Sequence, residues 1–453
     1  MANTYLTRTP SSAGNRKTFT FSFWVKRNKL GVDNTIYNVR PDSNGANRIN
    51  FHSGDSFRIS IEPISKFIFT TRLFRDVSAW YHIVIAFDTT QGTAANRIKL
   101  YVNGVQETSL VKGDGGAATY PDQNADLDIN TTNVINIGRD LETNSDFIDL
   151  CISHFHFCDG TALAPTVFGS TDSTTGEWKI NTSPSFTPGT NGFTILKDGN
   201  TITDQSANSN NFSLGGGTLT KTLDCPSNIM ATFNPLYPHN STFTYGNTKC
   251  MSGSSGEFGS VTTLPMTGTG KYYAEFKWTN GSYPILGVCD DIGLGLKTNV
   301  NMTFGKTGTT GSIGFKSNGS WRVNNSDTSI AGSFALNDII GSAIDKSTNK
   351  IYFSKNGVWS NGSGGWGSST FNAATGAIDV SSILTGDMWF WGVGTDTGTA
   401  NQIWEMNAGN GYYGITAVTT NSGNGYAGAE GASKFSYQPP TNYHALNTKG
   451  MNQ

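Results

Sequence analysis

Residues Asp338 to Trp359, DIIGSAIDKSTNKIYFSKNGVW, hold two strands, the turn between them and the turn that follows. Ile340 and Ile344 alternate with Gly341 and Ala343, and Ile351 and Phe353 alternate with Tyr352 and Ser354, the period of two that a strand requires. Lys346-Ser347-Thr348-Asn349 is a polar turn, and Asn356-Gly357 is the dipeptide that most readily accepts positive φ. The same grammar occurs upstream at Trp80 to Gln106, WYHIVIAFDTTQGTAANRIKLYVNGVQ, where a strand ends at Asp88 and the chain returns into Asn103-Gly104. Two copies of one hairpin pattern, far apart, imply two sandwich domains.

Composition agrees. A chain of 453 residues exceeds one ordinary core. Charged residues make up 14%, against roughly 25% in an average domain, while 54 glycines and 12% aromatics suit strands and turns. The net charge of -2 comes with no basic block, which argues against nucleic acid as a partner. Five cysteines, Cys151, Cys158, Cys225, Cys250 and Cys289, are odd in number and widely spaced, so they are expected to be reduced rather than a disulfide frame. The N-terminal MANTYLTRTPSSAG has neither the basic start nor the apolar core of a signal peptide, and no apolar run is long enough to span a bilayer. The expectation is synthesis in a cytoplasm without membrane insertion.

Thr18 to Lys26, TFTFSFWVK, sets Phe19, Phe21 and Phe23 on one face and opens the first sandwich. Further strands are expected around 48–52, 57–61, 67–71, 81–87, 98–102, 134–137 and 148–157. From Ser170 to Leu236, Gly, Ser, Thr and Asn dominate, with short apolar islands such as Gly192 to Leu196, and this reads as an ordered, extended linker. A second set of strands begins at Tyr272 to Trp278, YYAEFKW, and continues near 285–289, 311–315, 339–345, 351–354 and 389–394.

Several of these stretches resemble known families. Ile351 to Gly357 is similar to the strand ending in FSKNG of the SPRY domain, and YYAEFKW to that domain's opening strand. The pairing of WYHI with LYVNG resembles the laminin-G or concanavalin-A-like lectin fold. Both families are antiparallel jelly-roll sandwiches. The strand that closes the first half, with His156, Phe157, Asp159, Gly160, Ala162, Leu163, Pro165, Phe168 and Gly169, resembles a closure found in proteins carried on the tails and capsids of marine bacteriophages. Glu405 to Thr416 (EMNAGNGYYGIT), Phe435 to Met451 (FSYQPPTNYHALNTKGM) and pieces of the linker are similar to the same group.

The chemistry is sparse. Glucanases of the concanavalin-like fold use Glu-x-Asp-x-x-Glu, and none of the eight glutamates here is followed two residues later by Asp. No phosphate loop, nucleophile elbow or zincin helix is present. Asp122, Asn124, Asp126 and Asp128 recur at every second position, the start of a calcium-loop pattern, but Leu127 and Asn133 stand where an EF-hand needs Gly and Glu. A solvated acidic loop is the preferred reading, with calcium the alternative and no other cofactor implied. His154, His156 and Cys158 share one face of a regular strand and could ligate zinc, yet His156 lies within the closing strand, where a structural role is favoured. Trp321, Trp359, Asn361 and Trp366 sit in Gly-, Ser- and Asn-rich loops, where indole faces and amides suit sugar rings and their hydroxyls.

The expectation is therefore an all-β protein of two antiparallel jelly-roll sandwiches: a lectin-like domain at 1–169, a linker at 170–236, a SPRY-like domain at 237–410 and a C-terminal extension at 411–453 packing on the second domain. The resemblance implies a non-enzymatic virion component, a fibre or decoration protein. Its partners would be other virion proteins, copies of itself and a host-surface glycan. A ligand-free structural decoration protein and a concanavalin-like hydrolase are the alternatives.

Overall fold

The computed structural model describes residues 3–42, 45–238, 240–253, 258–296, 304–306, 311–396, 401–419 and 425–451. Its sheets are almost wholly antiparallel, and helix is confined to short turns, so the protein is all-β. The chain divides into two compact units, Met1–Lys221 and Thr222–Gln453. Among the described residues no helix is long and apolar enough to cross a membrane.

In the first unit an eight-stranded sheet packs against a six-stranded one. The strand Thr18–Arg27 lies at the centre of the smaller sheet, between Leu150–Asp159 and Trp80–Asp88. Its alternation places Phe19, Phe21 and Phe23 in the core at 0% exposure. Phe21 meets Tyr37 of the opposite sheet edge-on at 4.7 Å, and Phe19 stacks on Phe87 at 4.5 Å. Burying each such ring contributes on the order of 1.5–3 kcal/mol, which is why this aromatic strand organises the unit.

In the second unit the strand Lys271–Asn280 runs between Ile339–Asp345 and Ile403–Asn407 in a nine-stranded sheet. A six-stranded sheet faces it. Phe315 stacks on Phe353 across the interface at 4.2 Å, and the Trp391 indole donates to Ser342 Oγ at 2.9 Å. The two hairpins recognised in the sequence both form. Asn103 and Gly104 have φ of 48° and 79°, and Asn356 and Gly357 have the same pair of values, the conformation of a two-residue type I′ turn. A Cβ on Gly104 would overlap the Trp178 ring, and one on Gly357 the Tyr437 ring, so an aromatic side chain lies directly against each turn.

The segment expected as a linker, 170–236, is divided between the units. Phe193–Ile195 adds an edge strand beside Leu150–Asp159, and Ser213–Gly216 pairs with Tyr5–Arg8. Phe193, Ile195 and Phe212 enter the first core, whereas Met230, Ala231 and Phe233 are buried in the second unit. The apolar islands are thus edge strands, too short to announce a period of two against their polar surroundings. A fragment ending at Lys221 is expected to unfold cooperatively, whereas one ending at Gly169 should be insoluble, since losing a buried Phe costs roughly 3–5 kcal/mol. Equal melting temperatures for the two fragments would refute that division. Gly357→Val should lower the stability of the second unit alone by roughly 1–3 kcal/mol through strain at positive φ, read as separate calorimetric transitions.

Candidate functional site

Along Lys271–Asn280, Tyr272, Ala274, Phe276 and Trp278 turn into the sandwich core, which leaves Tyr273, Glu275 and Lys277 on the outer face of the nine-stranded sheet. That face is covered by the chain that follows Ile403–Asn407. Tyr273 is buried beneath Phe435, with ring centroids 4.9 Å apart, and His444–Ala445 pairs in parallel with Tyr272 and Tyr273.

Glu275 lies between these residues at 0% exposure. Its Oε2 accepts hydrogen bonds from the Tyr413 hydroxyl at 2.6 Å, the Ser436 amide at 2.9 Å and Asn407 Nδ2 at 3.2 Å. Its Oε1 accepts from the Tyr437 amide at 2.8 Å and the Tyr273 hydroxyl at 3.3 Å. Burial pushes the carboxyl up from its usual range against the pull of these donors, and the same burial holds the Tyr273 and Tyr413 phenols far above theirs. With its lone pairs already occupied, Glu275 secures the covering chain rather than presenting an acid or base to a substrate.

One residue pair further along, where the cover no longer meets the sheet, a cavity of about 300 Å³ remains. Lys277 and Ile339, cross-strand partners, form its floor. Tyr413, the segment Thr416–Thr419, Tyr426, Ser436 and Tyr437 form its walls. The hairpin of Tyr412–Tyr413 with Thr416–Ala417 holds one wall, and the Gly357 turn supports the Tyr437 ring of another. Aromatic faces beside hydroxyls and a single ammonium suit a ligand with both apolar ring faces and hydrogen-bonding groups.

The residues singled out in the sequence lie elsewhere. Trp359 is 6% exposed and packs edge-on against Phe371 at 4.9 Å, so it offers no face to a ligand. Trp321 stands opposite Phe315 across a strand pair, and Trp366 donates through Nε1 to the Ser333 carbonyl at 3.1 Å and meets Phe315 edge-on; both are half-buried against the core. Asn361 is exposed, but its Oδ1 accepts from the amides of Ser363 and Gly365, which closes its own loop.

The acidic run does not converge. Asp122, Asp126 and Asp128 pair with three different cations, Lys66 at 3.5 Å, Lys17 at 4.0 Å and Arg16 at 2.8 Å, and Asn124 occupies a left-handed turn with φ of 61°. Nor is the His154, His156 and Cys158 strand regular: the register shifts between Ser153 and His156, and His154 has φ of 49°. His156 Nδ1 pairs with Thr194 Oγ1 at 2.9 Å, and Cys158 Sγ donates to the Thr187 carbonyl at 3.2 Å. Burial holds His156 down to about 3 and pushes the Cys158 thiol up to about 11, which opposes the thiolate a zinc ligand must become. Among the described residues no group of three or more His, Cys, Asp or Glu side chains could hold a metal ion.

The cavity escaped the sequence because its walls come from four separate segments. The closing stretches at Glu405–Thr416 and Phe435–Met451 were the available signal, since they bring Asn407, Tyr413, Ser436 and Tyr437 to Glu275.

Comparison with known proteins adds a family likeness for the first unit. The family model of the concanavalin A-like lectin/glucanases superfamily, laminin G type, matches residues 2–167. Similar solved structures include the SPRY domain of human HERC1, at 15% identity over 38% of this chain and 96% of that one with a TM-score of 0.29. Another is a putative carbohydrate binding protein from Bacteroides ovatus, at 14% identity over 48% of this chain and 58% of that one with a TM-score of 0.30. No curated protein matches.

Glu275→Gln would set an amide N–H2 against donors that now share a carboxylate. The second unit should lose roughly 3 kcal/mol and become sensitive to proteases after Gly411, because buried donors left unpaired cost about 1–3 kcal/mol each. Unchanged melting and protease resistance would show that the cover is held by other contacts.

Proposed function

We propose that this protein is a non-catalytic, carbohydrate-binding component of a bacteriophage virion, a fibre or decoration protein that engages a glycan on the host surface. The observation that carries the binding reading is the cavity over Lys277 and Ile339, where the half-buried Tyr426 and Tyr437 rings stand with the exposed Thr416 and Thr419 hydroxyls beside them. Pyranose rings present C–H faces that stack on aromatic rings and hydroxyls that need partners, and this lining offers both.

The match of residues 2–167 to a lectin and glucanase superfamily supports a carbohydrate-facing role without choosing between binding and hydrolysis. Binding is favoured over hydrolysis because Glu275, the carboxylate bonded to the wall residues Tyr413, Ser436 and Tyr437, already accepts five hydrogen bonds. A glycosidase needs two carboxyl groups flanking the bond to be cleaved. The virion assignment rests on the closing sequences at His156–Gly169 and Phe435–Met451, with other virion proteins and further copies of the chain as partners.

A glycan array probed with the full chain tests this reading. Binding to a defined glycan class is expected, weakened about tenfold by Tyr426→Ala or Tyr437→Ala with the fold intact, and phage adsorption should fall in step. Reducing ends released from a bound polysaccharide would instead make the protein a hydrolase. Absence of glycan binding, with adsorption unchanged in both variants, would leave a structural decoration protein.

A further inference from the structure

We infer that the cavity is built for an acidic glycan, one whose carboxylate or sulfate group meets Lys277 while a sugar ring lies against the tyrosines. This rests on the carbohydrate-binding reading and adds a ligand class to it.

Lys277 is the one charged side chain among the described residues lining the cavity. The carboxylates around it are committed to other partners. Glu405, its cross-strand neighbour, pairs with Lys249 at 3.5 Å. Asp338 accepts from Asn356 Nδ2 at 2.7 Å and from the Ala335 amide at 2.8 Å, which fixes the Asn356-Gly357 turn. Glu275 is surrounded by its five donors. None of the three lines the cavity. Lys271, three pleat repeats earlier on the same face, forms its own ion pair with the acid opposite it, Asp345, at 2.9 Å. Lys277 has Ile339 opposite it on one neighbouring strand and Glu405 on the other, and the ion pair that Glu405 makes is with Lys249.

A half-buried ammonium that makes no ion pair of its own among the described residues, beside phenol and hydroxyl groups, stabilises an anion more than a neutral hydroxyl, because the walls lower the local dielectric. The tyrosines accept any ring face and so set the sugar fold, and Lys277 selects the charged substituent. Carboxylate and sulfate both satisfy that requirement.

The test compares three probes on the full chain by calorimetry: an oligogalacturonate, a sulfated galactan tetrasaccharide and its unsulfated counterpart. At least one acidic probe is expected to bind tenfold or more tighter than the neutral one, with an affinity that falls as salt rises. Lys277→Gln should remove that preference and Lys277→Arg should keep it, with melting temperatures confirming that both variants fold. Which of the two acidic probes binds tells uronate from sulfate recognition. Equal binding of neutral and acidic probes, or a preference that survives Lys277→Gln, overturns the inference while leaving the carbohydrate reading in place. Failure of every probe, together with a blank glycan array, overturns both.

Discussion

The second unit depends on one buried carboxylate. Glu275 sits on the outer face of a sheet, where a strand residue ordinarily meets water, and the five hydrogen bonds it accepts come from residues as far along the chain as Tyr437. A carboxylate moved from water to an apolar site costs many kcal/mol unless donors replace its hydration. Here the replacement is made by two backbone amides, two phenols and a carboxamide, each worth roughly 1.5–3 kcal/mol when the acceptor is charged. The covering chain also buries Phe435, Tyr443 and Ala445 against Tyr273, Ala343 and Tyr352 of the sheet. Glu275 fixes where Tyr413, Ser436 and Tyr437 lie beside that apolar cluster, and these three residues are walls of the cavity.

Both units close one outer sheet face with later chain, and they do it differently. In the first, the segment after Asp159 lays Phe168, Trp178 and Phe186 over His82 and His156. The Trp178 indole donates to His82 Nδ1 at 2.9 Å, and burial holds both imidazoles down to about 3, neutral at ordinary pH. That face is a packed aromatic layer. In the second unit Phe435 and Tyr443 pack on the sheet face as well, but the cover is tied down besides through a buried carboxylate and backbone amides, and a space persists beside them. Each cover also sets one ring over the Asn-Gly turn of the hairpin beneath it, Trp178 over Gly104 and Tyr437 over Gly357.

Much of the fold was legible. The alternation of Phe19, Phe21 and Phe23 and the two Asn-Gly turns are local signals, and they identified both sandwiches. The strand Asn34–Asp42 went unread because a register shift at Thr35/Tyr37 breaks its period and its Asn, Pro and Asp resemble turn chemistry. Ser326–Ser329 has no apolar residue and is exposed throughout, so its pairing with Ser320–Val323 leaves no trace in composition. The site was harder for a different reason. Trp321, Trp359 and Trp366 looked like loop aromatics by their neighbours, whereas the structure uses them to finish the core. The cavity lining joins residues from 277 to 437, a distance over which sequence pattern carries no geometry.

The central claim is that the space left beside the Glu275-anchored cover is where a sugar binds. Diffraction from crystals of the full chain grown with an acidic oligosaccharide tests it most directly. The result expected is a sugar ring against Tyr426 or Tyr437 with its anionic group on Lys277. An ordered sugar seated instead on Trp321 or Trp366, or on the first unit, with the cavity empty, would contradict it.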